Sequence, residues 1–250
     1  MNLTAVIACK NRHHNLAYCL TSIATSNVIP QVIIVDFGSN PRIRKLEQQY
    51  SWLSIIHVSN NTDMFHKTRA LNIGIRAVKT KFVCLTDVDQ LFQPNFFNII
   101  NQELHKNDKA FIRCETQFLP TLPPTLTPKQ INHDMYFKLF KLVLKTAVKK
   151  PHGEGCCHGI AKSTLMKING HDEAYIGWGF EDKDLDLRLV AQGAQTTWIT
   201  QKTSMIHLPH IRDAVYFAPN TRDKNEKLYR DKLNNKLEIV VNTHTDWGKL

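Results

Sequence analysis

No stretch of the chain approaches the roughly 18 consecutive apolar residues that a membrane-crossing helix needs. The opening segment, MNLTAVIACKNR, has no basic residue ahead of its short apolar run, so it reads as a first strand and not as a secretory signal. Six cysteines fall at irregular positions with no disulfide framework, which points to a reducing, cytoplasmic setting. Adjacent Cys156 and Cys157 have no second pair at finger spacing and read as buried or partly buried thiols, not zinc ligands. Ala8–Asn15 contains no glycine, whereas a nucleotidyltransferase normally carries a glycine-rich phosphate loop near its first strand. RNA-recognition motifs are also missing, so nucleic acid ranks low as a partner, and there is no internal repeat or low-complexity tract.

What is present is a chain of 250 residues, 42% apolar, with a net charge of +10. That length and apolar content build one large α/β domain or two small ones. The charge calls for an anionic partner, such as a nucleotide phosphate, an acidic glycan or a membrane surface.

Residues 1–100 alternate two kinds of pattern. Leu3–Cys9, Val32–Val35, Ile55–Val58 and Phe82–Leu85 are strand-like apolar runs. Leu16, Cys19, Leu20 and Ile23 recur at helical spacing, and Lys67–Val78 reads as a second helix. Such alternation predicts a mostly parallel twisted sheet flanked by helices, with ligands at the carboxyl ends of the strands. Three of those ends are polar: Lys10-Asn11-Arg12, Asp36 and Asp87-Val88-Asp89. The second half is less regular. Ala110–Phe118 reads as a strand and the proline-rich 120–128 segment as a loop. A capping box at Thr127-Pro128-Lys129-Gln130 predicts a helix running to about Lys149. On that helix Lys138, Lys141, Lys145 and Lys149 share one face, opposite Phe140, Val143, Leu144 and Ala147. The basic face is either simply solvated or a contact for a membrane surface or an acidic acceptor. Short helices are expected over Ser163–Ile168 and Asp182–Gln192, a strand over Thr196–Ile199 and a charged helix over Arg222–Leu237.

Several groups could carry chemistry. Asp87 and Asp89 follow a strand with one residue between them, which suits a divalent cation beside a diphosphate, although an exposed turn has the same pattern. His207 is the third-ligand candidate, with His210 as the alternative, and imidazole favours Mn²⁺ over Mg²⁺. Lys10, Asn11 and Arg12 are either a solvated turn or contacts to a base and phosphates. Phe65, Lys67, Arg69 and Asn72 sit on or before one helix, where Phe65 could pack on a base and Arg69 face phosphate, or both belong to core and surface. Gly177-Trp178-Gly179-Phe180-Glu181-Asp182-Lys183-Asp184 places carboxylates at a helix N-terminus, where they are electrostatically favoured. This is either an acidic helix start or a general base at the floor of a sugar site.

Taken in order, Ile7–Arg12, Phe65–Gly74, Thr86–Asp89, Lys167-Ile168-Asn169-Gly170 and Gly177–Asp182 resemble the GT-A glycosyltransferases. The match is to the branch shared by β-1,4-galactosyltransferases, polypeptide N-acetylgalactosaminyltransferases and bacterial chondroitin-type family 2 enzymes. It runs over about residues 3–210, and its most specific part is the KING segment with the GWGxED block. The resemblance implies a GT-A catalytic domain over 1–210, with a nucleotide-sugar half (1–100), an acceptor half (101–210) and a C-terminal helical extension (211–250). It implies inverting transfer of a hexose or N-acetylhexosamine from a UDP-sugar, with Mn²⁺ or Mg²⁺ at the diphosphate, onto a glycan or lipid-linked glycan acceptor. Asp89 and His207 map onto the metal, Asp87 onto the donor ribose, and Asp182, with Glu181 beside it, onto the base. Trp178, between Gly177 and Gly179, maps between donor and acceptor. Phe180 stands where the galactosyltransferase block has glycine, and Lys183 where it has an acid. A lysine there suits a carboxylated or phosphorylated acceptor. The animal members are membrane-anchored and disulfide-bonded, features this sequence does not show, so the expectation is a bacterial-type cytoplasmic enzyme of capsule or surface polysaccharide synthesis. The competing classes are a metal-dependent nucleotidyltransferase and a non-catalytic glycan-binding module.

Overall fold

A computed structural model of the chain describes residues 1–59, 64–146, 157–210, 221–235 and 237–250. Ala147, Lys149 and Cys156, named above, lie outside the described residues. In chain order the first half holds β1 (Leu3–Cys9), α1 (His13–Ala24), β2 (Gln31–Phe37), β3 (Leu53–Val58), α2 (Lys67–Ala77), β4 (Phe82–Thr86), β5 (Gln90–Phe92) and α3 (Phe96–Lys106). The second half holds β6 (Ala110–Arg113), β7 (Thr116–Phe118), α4 (His133–Thr146), β8 (Cys157–Ala161), α5 (Lys162–Lys167), α6 (Glu181–Ala191), β9 (Gln195–Trp198), β10 (Met205–His207) and α7 (Thr221–Asn234).

The main sheet has the order β3-β2-β1-β4-β8-β6-β9. Within it only β8 opposes its neighbours, so the expected mostly parallel sheet is the one observed. Side-chain alternation along β1 explains why both faces are covered. Ala5 and Ile7 point to a core layer with Leu16, Leu20 and Ile23 of α1 and Phe97 and Ile100 of α3. Val6 and Ala8 point to the opposite layer with Leu71 and Ile75 of α2 and Leu185 and Leu189 of α6. Gly74 lets α2 sit close on the sheet, because a Cβ there would lie 2.3 Å from Val6 Cγ1.

A second sheet has the order β5-β10-β7, and its β5 follows the carboxyl end of β4. The expected strand over Ala110–Phe118 is therefore two strands serving different sheets. The expected helix from Pro128 is a single 3₁₀ turn, Pro128–Gln130, although its capping box forms, with Thr127 N–H donating to Gln130 Oε1 at 2.7 Å. Ile131 then turns extended, and α4 starts afresh at His133. The face of α4 that packs on the second sheet carries Tyr136, Leu139 and Val143, against Leu91 and Ile206. Leu144, expected on that face, is exposed together with Lys138, Lys141 and Lys145. A stripe centred on 136, 139 and 143 leaves position 144 on its flank.

The C-terminal residues pack on the rest. Asn225 of α7 donates to the carbonyls of Ile176 and Trp178 at 3.1 and 3.3 Å. Asn242 clasps the backbone of Asn169, His171 and Glu173. Trp247 is buried beneath Arg76, 5.1 Å from its guanidinium carbon.

Candidate active site

Three chain segments meet at the carboxyl edge of the main sheet. β4 runs out into Asp87, the first turn of α2 supplies Lys67, and the first turn of α6 supplies Glu181 and Asp182. Lys67 Nζ lies 3.2 Å from Asp87 Oδ1, 3.5 Å from Glu181 Oε1 and 3.3 Å from Asp182 Oδ2. One ammonium thus joins the acid following the fourth strand to the acid pair behind Trp178. A cation at a helix N-terminus opposes the helix dipole, and the three facing carboxylates offset that cost at Lys67. Burial pushes the Lys67 ammonium toward neutrality, but Asp182, Asp87 and Glu181 outweigh it and hold its pKa well above the usual lysine value.

The carboxylates respond differently to the same surroundings. Burial and the neighbouring Asp182 charge raise Glu181 to about 7, while one of its oxygens accepts from Gly179 N–H at 2.8 Å. Burial also works to raise Asp182, but Lys67, His158 and His171 more than offset it, so its pKa is lowered. Two adjacent acids whose environments push them apart give one permanent carboxylate beside one that titrates near neutrality. Burial raises Asp87 too, with Asp89 and Asp182 adding to it against Lys67.

Next to Asp87 lies a second constellation. β10 pairs antiparallel with β5, which puts His207 opposite Gln90, and Leu208 N–H donates to the Asp89 carbonyl at 2.7 Å. The strand thereby delivers His207 Nε2 to 3.5 Å from Asp89 Oδ1 and His210 Nε2 to 3.2 Å from Asp89 Oδ2. Ligand atoms of all three residues fall within 4.8 Å of one another. Burial opposes the Asp89 charge, but His207 and His210 reverse the effect and lower its pKa. One carboxylate and two imidazoles suit a borderline divalent ion such as Mn²⁺ better than Mg²⁺. His207 and His210, alternatives by sequence, both belong to this cluster.

The donor-side candidates are placed unequally. Arg12 Nη2 sits 3.4 Å from His210 Nδ1, which brings the first loop to the Asp89 cluster. Lys10 Nζ donates to the carbonyls of Phe37 and Gly38 at 3.4 and 3.0 Å. Asn11 N–H donates to Ser39 Oγ, and its own side-chain oxygen accepts from Asn40 N–H at 2.7 Å. Asp36 is buried, accepting from Ser39 N–H and Ile43 N–H, both at 3.1 Å, with His57 Nδ1 at the same distance. Phe65 is buried edge-on to Phe37, ring centroids 6.2 Å apart, and Arg69 is exposed on α2.

On the other side, Gly177 and Gly179 take φ of 78° and 104° in the loop that turns into α6. Phe180, at the glycine position of the resembled block, is also left-handed at φ 68°. A bulky residue there is strained; its ring packs 5.4 Å from that of Tyr229 on α7. Trp178 is half-exposed, and Arg222 of α7 lies over its ring at 5.9 Å. Lys183 Nζ lies 5.6 Å from the Phe180 ring.

Sequence reasoning assigned no bridging role to Lys67 and did not single out His158 or His171. His171 is fully buried, neither ring nitrogen has a partner among the described residues, and burial drives its pKa down to about 3. The readable signal for Lys67 was its place as the first residue of a helix, where a cation is disfavoured.

The model of glycosyl transferase family 2 matches residues 4–168. The chain belongs to that family. A second model, described as the N-terminal domain of galactosyltransferase, matches residues 141–211. The first match takes in Lys67, Asp87 and Asp89, and the second takes in Glu181, Asp182, His207 and His210. The site therefore straddles the two matched segments. Among curated proteins the chain is similar to the chondroitin synthase of Escherichia coli, 23% identical over 224 residues, and to that of Pasteurella multocida (strain Pm70), 24% identical over 224 residues. These alignments cover 76% and 77% of this chain but only 32% and 23% of those proteins. Among solved structures it resembles S. aureus TarS 1-349, with a TM-score of 0.64, 12% identity and coverage of 96% of this chain and 67% of that one. The same TarS segment in complex with UDP gives a TM-score of 0.64 at 12% identity, over 96% of this chain and 68% of that one. The fold is accordingly that of the GT-A glycosyltransferases.

Proposed function

We propose that the chain transfers a hexose or N-acetylhexosamine from a UDP-sugar to a hydroxyl of a glycan acceptor, with inversion, in the assembly of a bacterial surface polysaccharide. The observation that carries this reading is Lys67, whose one ammonium touches both Asp87 and Asp182. Displacement at an anomeric carbon needs a base for the acceptor proton and charge stabilisation for the departing nucleotide within one cleft. Asp182 is the base, because its lowered pKa keeps it ionised. Glu181, which titrates near neutrality and accepts from Gly179 N–H, shapes the acceptor side. Asp87 faces the donor. Asp89, His207 and His210 would hold a divalent ion, Mn²⁺ as the family resemblance implies, and a bound ion there would neutralise diphosphate charge. Arg12 adds positive charge at the same place. Lys10, Asn11 and Asp36 act one step back by fixing the two loops at the nucleotide end of the sheet. Trp178 is set between donor and acceptor, and Lys183 favours an acidic acceptor. The similarity to chondroitin synthases supports an acceptor built from alternating N-acetylhexosamine and hexuronate.

The test is release of UDP, screened over UDP-galactose, UDP-N-acetylgalactosamine, UDP-N-acetylglucosamine and UDP-glucuronate with Mn²⁺. The acceptors are an unsulfated chondroitin oligosaccharide ladder from disaccharide to hexasaccharide. Acceptor-dependent UDP release from one donor is expected. Pyrophosphate release, or no UDP release with any donor, contradicts the reading.

A further inference from the structure

Away from the nucleotide end, the strand order of the main sheet continues from β4 through β8 and β6 to β9. Each of these strands places a distinctive side chain at the edge that holds the catalytic acids. β8 brings His158, paired in register with Leu85 near the end of β4. β6 ends on Arg113, and β9 ends on Trp198, which is in register with Arg113. α6 runs past them, and Asp186 follows Asp182 by one turn on the same face. Asp186 holds Arg113 at 2.5 Å through one oxygen and His158 at 3.0 Å through the other. The Arg113 guanidinium carbon lies 5.2 Å from the centres of both the Phe111 and Trp198 rings.

Phe111, Arg113 and His158 are buried, whereas Trp198 keeps 50% of its surface open. Scattered surface aromatics are ordinary, but this one differs in three respects. It is mounted on a buried guanidinium that a carboxylate fixes, so the ring is pre-positioned. Its mount pairs the guanidinium with a carboxylate, so the ring itself offers an apolar face. It stands on the far side of Asp182 from the donor acids. One helical turn of about 5.4 Å, the Arg113–Asp186 pair and one stacking contact connect it to Asp182. A pyranose offers a C–H face that packs flat on such a ring, and large rigid aromatics bind with little entropy loss.

We infer that Trp198 is a stacking platform for a sugar unit of the acceptor glycan, set back from the reacting hydroxyl, with Arg113 and Asp186 as its positioning residues. This rests on the transferase reading only for which end of the glycan reacts. KM measured along the ladder should fall from disaccharide to hexasaccharide in the wild type. Trp198→Ala should raise the hexasaccharide-to-disaccharide KM ratio about tenfold, and Trp198→Tyr should restore most of the difference. An unchanged ratio in Trp198→Ala overturns the subsite. Saturation-transfer NMR with the hexasaccharide reports binding without turnover. A transfer signal present in the wild type and absent in Trp198→Ala supports the subsite even if no UDP is released, an outcome that defeats the transferase reading alone. Equal transfer signals in wild type and variant, or a drop in self-association as the only change, overturn the subsite.

Discussion

The two sides of the cleft use their polar residues in opposite ways. On the proposed nucleotide side, side chains at strand ends are spent mainly on backbone: Asp36 on Ser39 and Ile43, with His57 beside it, and Lys10 on Phe37 and Gly38. On the proposed acceptor side, charges are spent on one another, most of them across long sequence separations. Asp182 pairs with Lys67, and Asp186 with Arg113. Asp184 pairs with Arg188 at 2.7 Å and with Lys232 at 3.0 Å, and Lys232 also contacts Asp172. The first side is a set of preformed loops. The second is a charge network whose balance sets which acid is ionised, so substitutions on the two sides should fail differently.

The largest departure is expected at the join between them. Asp89→Ala removes the carboxylate shared by His207 and His210 and should abolish Mn²⁺-dependent UDP binding in calorimetry, and unchanged Mn²⁺ dependence would take Asp89 out of the metal site. Lys67→Met should come next, lowering kcat by about 10²-fold, the lower end of what a positioned base contributes. It should also move the acid limb of the pH–rate profile upward. The sign follows from Lys67 acting to lower Asp182: without it the base protonates at higher pH and activity is lost earlier on acidification. An acid limb that stays in place would show that Lys67 does not control the base.

On the nucleotide side the expected loss is in stability. Asp36→Asn keeps one acceptor oxygen, so either Ser39 N–H or Ile43 N–H is left facing an amide NH₂ in a buried loop, which should cost about 1–3 kcal/mol, read as a fall in Tm with no shift of the acid limb. The smallest effect sharpens the contrast. Glu181 has a folded pKa raised to about 7, so the folded state holds its proton more tightly and loses relative stability as pH rises from about 4.5 through 7. Glu181→Gln should therefore gain in Tm relative to wild type at pH 8 compared with pH 5, and a pH-independent difference would contradict the raised value.

The same contrast governs what could be read from sequence. β1, β2, β3 and β4 announce themselves as apolar runs and α2 reads as a helix, and the expected boundaries lie within two residues of the observed ones. The strand-end acids follow once the alternation is seen, because ligands gather at that edge. β5, β7 and β10 are three residues each, too short to show any period, so the sheet that delivers His207 to Asp89 stayed hidden and the choice between His207 and His210 stayed open. α3 is a different case: Phe96, Ile100 and Leu104 do repeat at helical spacing, but they follow directly on β5. The GWGF-ED segment was legible as a helix start. Its neighbours were not, since Lys67 and Asp182 are 115 residues apart and only the fold brings them together. The contacts of α7 with Trp178 and Phe180 are shorter in sequence, 47 residues for Asn225 and Trp178, but they too left no local signal.

The central claim is that Asp182 acts on the acceptor across the cleft from an independently held donor. Transfer rate and UDP affinity measured side by side for Asp182→Asn test it most directly. The account predicts kcat lower by about 10²–10⁴-fold with UDP affinity within a few-fold of wild type, and a wild-type rate, or a loss of UDP binding as large as the loss of rate, would contradict it.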